Sequence, residues 1–151
     1  MKKKPLVYID TSVIGGLFDE EFQKESRALF DMAKAGKILF MVSDIVIDEL
    51  VGASREIQKE LESLPKQCLR ICRSNEETNS LMDQYLKARV LGPSSSHDAH
   101  HVSIATVFGA DMIVSWNFRH IVHFEKIRGF NSVNIRLGYG PIEIFSPKEV
   151  V

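Results

Sequence analysis

The segment Leu6-Val7-Tyr8-Ile9-Asp10 constrains this chain more than any other part of it. A short, continuous apolar run reads as a strand buried on both faces, the kind found in the middle of a parallel sheet. It ends in a carboxylate followed at once by two hydroxyls, Thr11 and Ser12. In open α/β sheets, ligands bind at the carboxyl ends of the strands. Asp10 is therefore expected to face a cleft. Three more acidic or amide groups, Glu49, Asp98 and Asn117, fall where later strands and helices meet. Such groups on one rim repel each other and are costly to desolvate unless a cation sits among them.

Further strands are expected at Ile38–Ser43, Cys68–Cys72, Asp111–Ser115 and Ile142–Phe145. Helical patterns run over Glu21–Ala35, stopped by Gly36, then after Asp44 as cap, then over Ile57–Leu64, ended by Pro65. Ser74 with Glu77 has the form of a capping box for a helix carrying Leu81, Met82, Tyr85 and Leu86. The last of these helices spans His97 to Phe108 and stops at Gly109. Strands separated by helices give a mostly parallel sheet with helices on both faces, a three-layer α/β/α sandwich. The 151 residues suit a single domain, residues 1–151.

Bulk properties narrow the function. Hydrophobic content of 44% and charged content of 26% are those of a soluble globular protein. No apolar stretch nears the roughly 20 residues of a membrane span. The basic start, Met1 to Pro5, precedes an apolar run too short for a signal peptide, so a cytoplasmic protein with no membrane partner is expected. Cys68 and Cys72 are expected to be buried free thiols, since four residues of strand exceed a disulfide's reach. A net charge of −1 gives no global nucleic-acid signature. Locally, Arg119, Lys126, Arg128 and Arg136 face only Glu125 across residues 116–140. Two readings stand: a solvated helix face, or a basic wall for a phosphate backbone.

Each candidate group also has an ordinary explanation. Asp98 lies in the first turn of its helix, where a carboxylate offsets the helix dipole. Asp10, ending a buried strand, has no comparable role. His97 and His101 have the i, i+4 spacing of metal ligands but lack the Glu of a metalloprotease helix. His101 is expected to pack or hydrogen-bond behind the acidic groups, with His97 and His100 in solvent. The turn after the first strand lacks the glycines of a dinucleotide site. Ser12 stands where an aspartyl-phosphate phosphatase has its second Asp. Asp111 opens its strand, which puts it at the opposite sheet edge from the cleft, in a structural role.

In order, Tyr8-Ile9-Asp10-Thr11-Ser12, Ser43 to Leu50, Asp98 to Ala105 with Gly109-Ala110-Asp111, and Ser115-Trp116-Asn117-Phe118-Arg119-His120 resemble the four motifs of PIN domains. These are small metal-dependent ribonucleases that include the VapC toxins of prokaryotic toxin–antitoxin pairs. The resemblance implies a PIN-like fold and an endoribonuclease hydrolysing RNA phosphodiesters. It implies Mg²⁺ or Mn²⁺ on Asp10, Glu49 and Asp98. Thr11 and Ser115 would be hydroxyls near the metal waters or phosphate, and Arg119 would contact substrate. It also implies an antitoxin partner and a homodimer. Asn117 departs from the family pattern, which often has Asp there; an amide oxygen without charge would weaken a second metal. A binding module of the same fold, holding RNA or protein at a weakened site, is the alternative. A phosphate-accepting signalling domain is a remoter one.

Overall fold

A computed structural model describes residues 3–151. Its five strands are β1 (Leu6–Ile9), β2 (Leu39–Ser43), β3 (Leu69–Cys72), β4 (Met112–Val114) and β5 (Glu143–Phe145). They form one parallel sheet in the order β3-β2-β1-β4-β5. The eight helices are α1 (Thr11–Gly15), α2 (Gln23–Lys34), α3 (Asp44–Val51), α4 (Arg55–Glu62), α5 (Glu76–Lys87), α6 (Ser96–Val107), α7 (Phe124–Arg136) and α8 (Pro147–Val150).

β1 is the central strand, and Val7, Tyr8 and Ile9 are wholly buried. From it the chain builds outward through β2 to β3, then returns to lay β4 and β5 on the other side. The reversal makes the crevice between the ends of β1 and β4 the topological switch point. Val7, Tyr8 and Ile9 pair with Met112, Ile113 and Val114, so both strands end level, with Asp10 and Ser115 next in the chain. Helix geometry adds the remaining groups. α3 leaves the end of β2, and α6 leads down into the start of β4. The N-terminal turns of both helices therefore lie at this same edge of the sheet.

The core fills both faces of the sheet. Phe30 packs edge-on against Phe40 at 5.1 Å, and Tyr85 against Phe130 at 5.0 Å. Each large apolar side chain removed from water this way contributes about 1.5–3 kcal/mol. At the opposite edge, Asp111 Oδ2 accepts the Leu6 N–H at 2.6 Å, the structural role expected of it. Cys68 and Cys72 are buried free thiols, as expected. No helix among the described residues is long and apolar enough to cross a membrane.

Two caps differ from the sequence reading. The N-cap of α3 is Ser43, whose Oγ accepts the Val46 N–H, not Asp44. The Asp44 carboxylate instead accepts the N–H of Ser74 at 2.9 Å and its hydroxyl at 2.6 Å. That contact takes Ser74 out of the expected capping box. Asn75 and Thr78 form the box one residue later. The helix expected over Ile57–Leu64 starts earlier, at Arg55, because Ser54 caps it. Residues 124–136, within the basic stretch for which a helix face is one of the two readings, are helix α7.

Gly36 ends α2 at φ +76, a backbone region that favours glycine. Gly16 is required for space: a Cβ there would stand 2.6 Å from Ser26 Oγ and 2.9 Å from Trp116 Nε1. Those two atoms are themselves hydrogen-bonded at 2.8 Å, and Trp116 stacks on Phe22 at 4.3 Å. Gly16→Ala should therefore push Trp116 off Ser26 and destabilise the fold by about 1–3 kcal/mol. Urea unfolding followed by emission of Trp116, the only tryptophan, measures both effects.

Candidate active site

Asp10 is 5% exposed, and each of its oxygens accepts a serine hydroxyl. Ser12 Oγ donates to Oδ1 at 2.6 Å, and Ser115 Oγ to Oδ2 at 2.7 Å. Backbone groups aim these serines. The Trp116 N–H donates to Ser12 Oγ and the Asn117 N–H to Ser115 Oγ, both at 2.9 Å. Burial pushes the Asp10 carboxyl above the usual carboxylate range, against the opposing effects of the His101 charge and the two serine hydrogen bonds. Thr11 Oγ1 is buried beside it without a hydrogen-bond partner.

Asn117 links this pocket to Asp98. Its Nδ2 donates to Asp98 Oδ1 at 3.2 Å, while Asp98 Oδ2 lies 3.0 Å from His120 Nδ1. The Asn117 Oδ1 accepts the N–H groups of Arg119 and His120. The amide oxygen expected to face a metal is thus turned onto the backbone, and the NH₂ faces the carboxylate. Backbone N–H groups can only donate, which fixes that orientation. Arg119 is exposed on the same turn, beside Phe118 at 49% exposure.

On the other side stands Glu49. Its Oε1 lies 2.7 Å from Nε2 of the buried His101. Partial burial raises the Glu49 carboxyl, but His101, as hydrogen-bond partner and charge, more than reverses this and leaves it below its usual range. The Thr11 hydroxyl is near enough to Glu49 to favour its ionised form, though outside hydrogen-bond geometry, which puts this carboxylate next to the Asp10 turn. His101 uses both ring nitrogens, the second 2.6 Å from the Tyr8 hydroxyl, so it makes no chelating pair with the exposed His97. His100, expected in solvent, is half-buried with Nε2 unpartnered.

The structure therefore brings Asp10, Thr11, Ser115, Asn117 and Asp98 into one connected edge, with Glu49 across Thr11. Among the described residues, no three His, Cys, Asp or Glu side chains converge closely enough to hold one ion between them. Mg²⁺ does not need three, since it keeps several waters and commonly takes one or two carboxylates. The Asp10 carboxylate, met by two serine hydroxyls and the Val13 N–H, together with the Thr11 hydroxyl offers oxygen ligands only, which suits a hard, hydrated cation. Asp98, like Asp10, has both oxygens engaged by protein groups, here the Asn117 amide and the His120 ring in place of hydroxyls. The sequence reading missed Ser12 and His120 as site residues. Their signals were the i+2 hydroxyl after Asp10 and the histidine three residues beyond Asn117.

No protein-family model matches the sequence, and no curated protein does. Solved structures do. FitAcB from Neisseria gonorrhoeae is similar at TM-score 0.60 and 15% identity, over 94% of this chain and 98% of that one. VapBC2 from Rickettsia felis, bound to a DNA fragment from its promoter, aligns at TM-score 0.58 and 13% identity, over 93% and 98%. VapC20 from Mycobacterium tuberculosis, a sarcin–ricin loop cleaving toxin, aligns at TM-score 0.51 and 17% identity, over 91% and 98%. The fold is that of VapC-like PIN domains.

The raised Asp10 carboxyl predicts a stability slope. A carboxyl raised in the folded state favours folding when protonated, and that contribution is lost as pH climbs from the ordinary carboxylate range through the raised value. In EDTA, Asp10→Asn should lack this loss and melt higher than wild type at pH 7.5. One kcal/mol would raise its midpoint by about 2–4 °C at this chain length. Thermal unfolding of both proteins from pH 4 to 8 measures it.

Asn117→Asp should do the reverse. It replaces the Nδ2 donor, 3.2 Å from Asp98 Oδ1, with a second carboxylate oxygen. Losing a hydrogen bond to a charged group costs about 1.5–3 kcal/mol. The variant should melt lower than wild type in EDTA and regain more stability on adding Mn²⁺, read as paired melting curves.

Proposed function

We propose that this protein is a divalent-metal-dependent endoribonuclease that hydrolyses RNA phosphodiester bonds, acting as the toxin of a toxin–antitoxin pair. The observation that carries the reading is the buried Asp10 carboxylate at the switch point of the sheet, with Glu49 and Asp98 on either side. The fold likeness to a sarcin–ricin loop cleaving toxin supports the same chemistry. Asp10 would hold Mg²⁺ or Mn²⁺, with Glu49 and Asp98 completing its surroundings. Bound there, the ion would polarise the phosphoryl oxygen, lower the pKa of water and neutralise charge on the leaving oxygen.

The chain's own groups have separable tasks. Ser12 and Ser115 orient the Asp10 oxygens, and Thr11 offers an unpartnered hydroxyl to water or phosphate. Asn117 and His120 hold Asp98 in place from both sides. Arg119, exposed on the turn that carries Asn117 and His120, is placed to meet the RNA backbone. Arg128 lies further along, over the Phe124 ring at 5.5 Å. The likeness to VapBC2 supports a cognate antitoxin protein as partner. A homodimer and a cytoplasmic location complete the proposal.

One observation favours the alternative, a PIN-like binding module with weak or no catalysis. Both Asp98 oxygens are engaged by protein donors, and the amide oxygen of Asn117 is spent on the backbone. Cleavage of labelled RNA in Mn²⁺ separates the two readings. The enzyme should cut, while Asp10→Asn and Asp98→Asn should lose at least about 100-fold in rate with their fold intact. Equal cutting by Asp10→Asn would refute the assignment. RNA affinity should also fall steeply with salt. Each phosphate contact removed in an Arg119/Arg128 double alanine variant should lower that slope by roughly 0.7–1 unit.

A further inference from the structure

A line of polar side chains crosses the buried centre of the molecule and ends on Glu49. Tyr8 of β1 and Ser43 of β2 are 0% exposed, and His101 of α6 is 3% exposed. Tyr8 pairs with Met41 across the sheet, and Ser43 lies two residues on, so it sits on the same face. Ser43 Oγ lies 2.8 Å from the Tyr8 hydroxyl, which lies 2.6 Å from His101 Nδ1. His101 Nε2 then reaches Glu49 Oε1 at 2.7 Å. Burying two hydroxyls and an imidazole costs free energy that apolar side chains would not, unless every partner is supplied.

The partners fix a direction along the line. An ionised carboxylate only accepts, so Nε2 must carry the hydrogen. In a neutral ring Nδ1 is then the acceptor, and the Tyr8 O–H donates to it. The Tyr8 oxygen accepts from Ser43, whose Oγ accepts the Val46 N–H at 3.4 Å. The other tautomer would set two acceptors, Nε2 and Glu49 Oε1, against each other.

We infer that Tyr8 is a positioning residue: its hydroxyl pins Nδ1 of the His101 ring, whose Nε2–H form Glu49 selects, and so holds the Glu49 carboxylate at the edge of the Asp10 pocket. A histidine buried in the middle of α6, beside Ala99, Val102, Ile104 and Ala105, is otherwise unexplained, since among the described residues Glu49 is the one charged group hydrogen-bonded to it. The metal arm of the test rests on the nuclease reading; the ring-nitrogen arm does not.

The experiment uses the whole chain labelled with ¹⁵N-histidine at pH 8. Ring nitrogen shifts of wild type should show His101 as Nε2–H with a hydrogen-bonded Nδ1, and Tyr8→Phe, which keeps the ring volume, should keep the tautomer but move Nδ1 to the shift of a nitrogen that accepts no hydrogen bond. Calorimetric Mn²⁺ titration of the same proteins should show affinity at least about tenfold weaker in Tyr8→Phe. His101→Leu should weaken it likewise, and His101→Gln, whose amide can donate to Glu49, should recover most of the loss. An unchanged Nδ1 shift in Tyr8→Phe, or Mn²⁺ affinity within twofold of wild type, overturns the inference. Should Tyr8→Phe fail to fold, the His101→Leu and His101→Gln pair decides: equal affinity in the two overturns it. Wild type that binds no Mn²⁺ defeats the metal reading instead, and the Nδ1 shift alone then decides the role of Tyr8.

Discussion

A carboxylate held almost out of water at the end of the central strand is the constraint on which the rest of the site depends. Asp10 cannot be ionised there for nothing: its charge must be met by donors or by a cation. Two serine hydroxyls meet it from opposite sides, one two residues along the chain and one from the end of the neighbouring strand. Neither serine is free to turn, because each also accepts a backbone N–H from the turn after β4. The pocket is thus built of backbone geometry first and side chains second. Its position follows from strand order, since only the β1–β4 crevice is left open where the chain reverses.

The flanking acids are held in different ways. Asp98 is gripped by the NH₂ of Asn117 and the ring of His120, both from the segment that follows β4. Glu49 hangs from a histidine whose second nitrogen is anchored deep in the sheet. One acid is tied to the switch-point turn and the other to the core, so a change in either support would move one carboxylate without moving the other. Asn117 ties Asp98 to the Asp10 pocket. Its amide satisfies two backbone N–H groups and one carboxylate oxygen, a task that an aspartate could not perform without repulsion.

Much of the fold was legible because parallel strands buried on both faces leave continuous apolar runs. Leu6–Ile9 and Leu39–Ser43 are such runs, and both appear where expected. The structural role of Asp111 also followed from position alone, because a residue that opens a strand lies at the edge opposite one that closes its parallel neighbour. The caps were less legible. Ser74 and Glu77 have the right spacing for a box, yet Asp44, thirty positions away, offered Ser74 two hydrogen bonds and the box moved to Asn75 and Thr78. Local spacing cannot register a competitor that arrives only when the chain has folded.

The same distinction divides the site. The chain alone determined that Asp10 ends a buried strand, that Glu49 and Asp98 lie on helices starting near the sheet's carboxyl edge, and that oxygen donors dominate there. These follow from hydrophobic periodicity and strand direction, which are properties of consecutive residues. Tertiary structure decided which way each polar atom points. Asn117 turned its oxygen to the backbone, His120 closed on Asp98, and His101 went inward to join Tyr8 with Glu49. The reason is that a hydrogen bond depends on atoms approaching within about 3 Å in the right orientation. For residues as far apart as Tyr8 and His101 that approach exists only once the sheet and helices are packed.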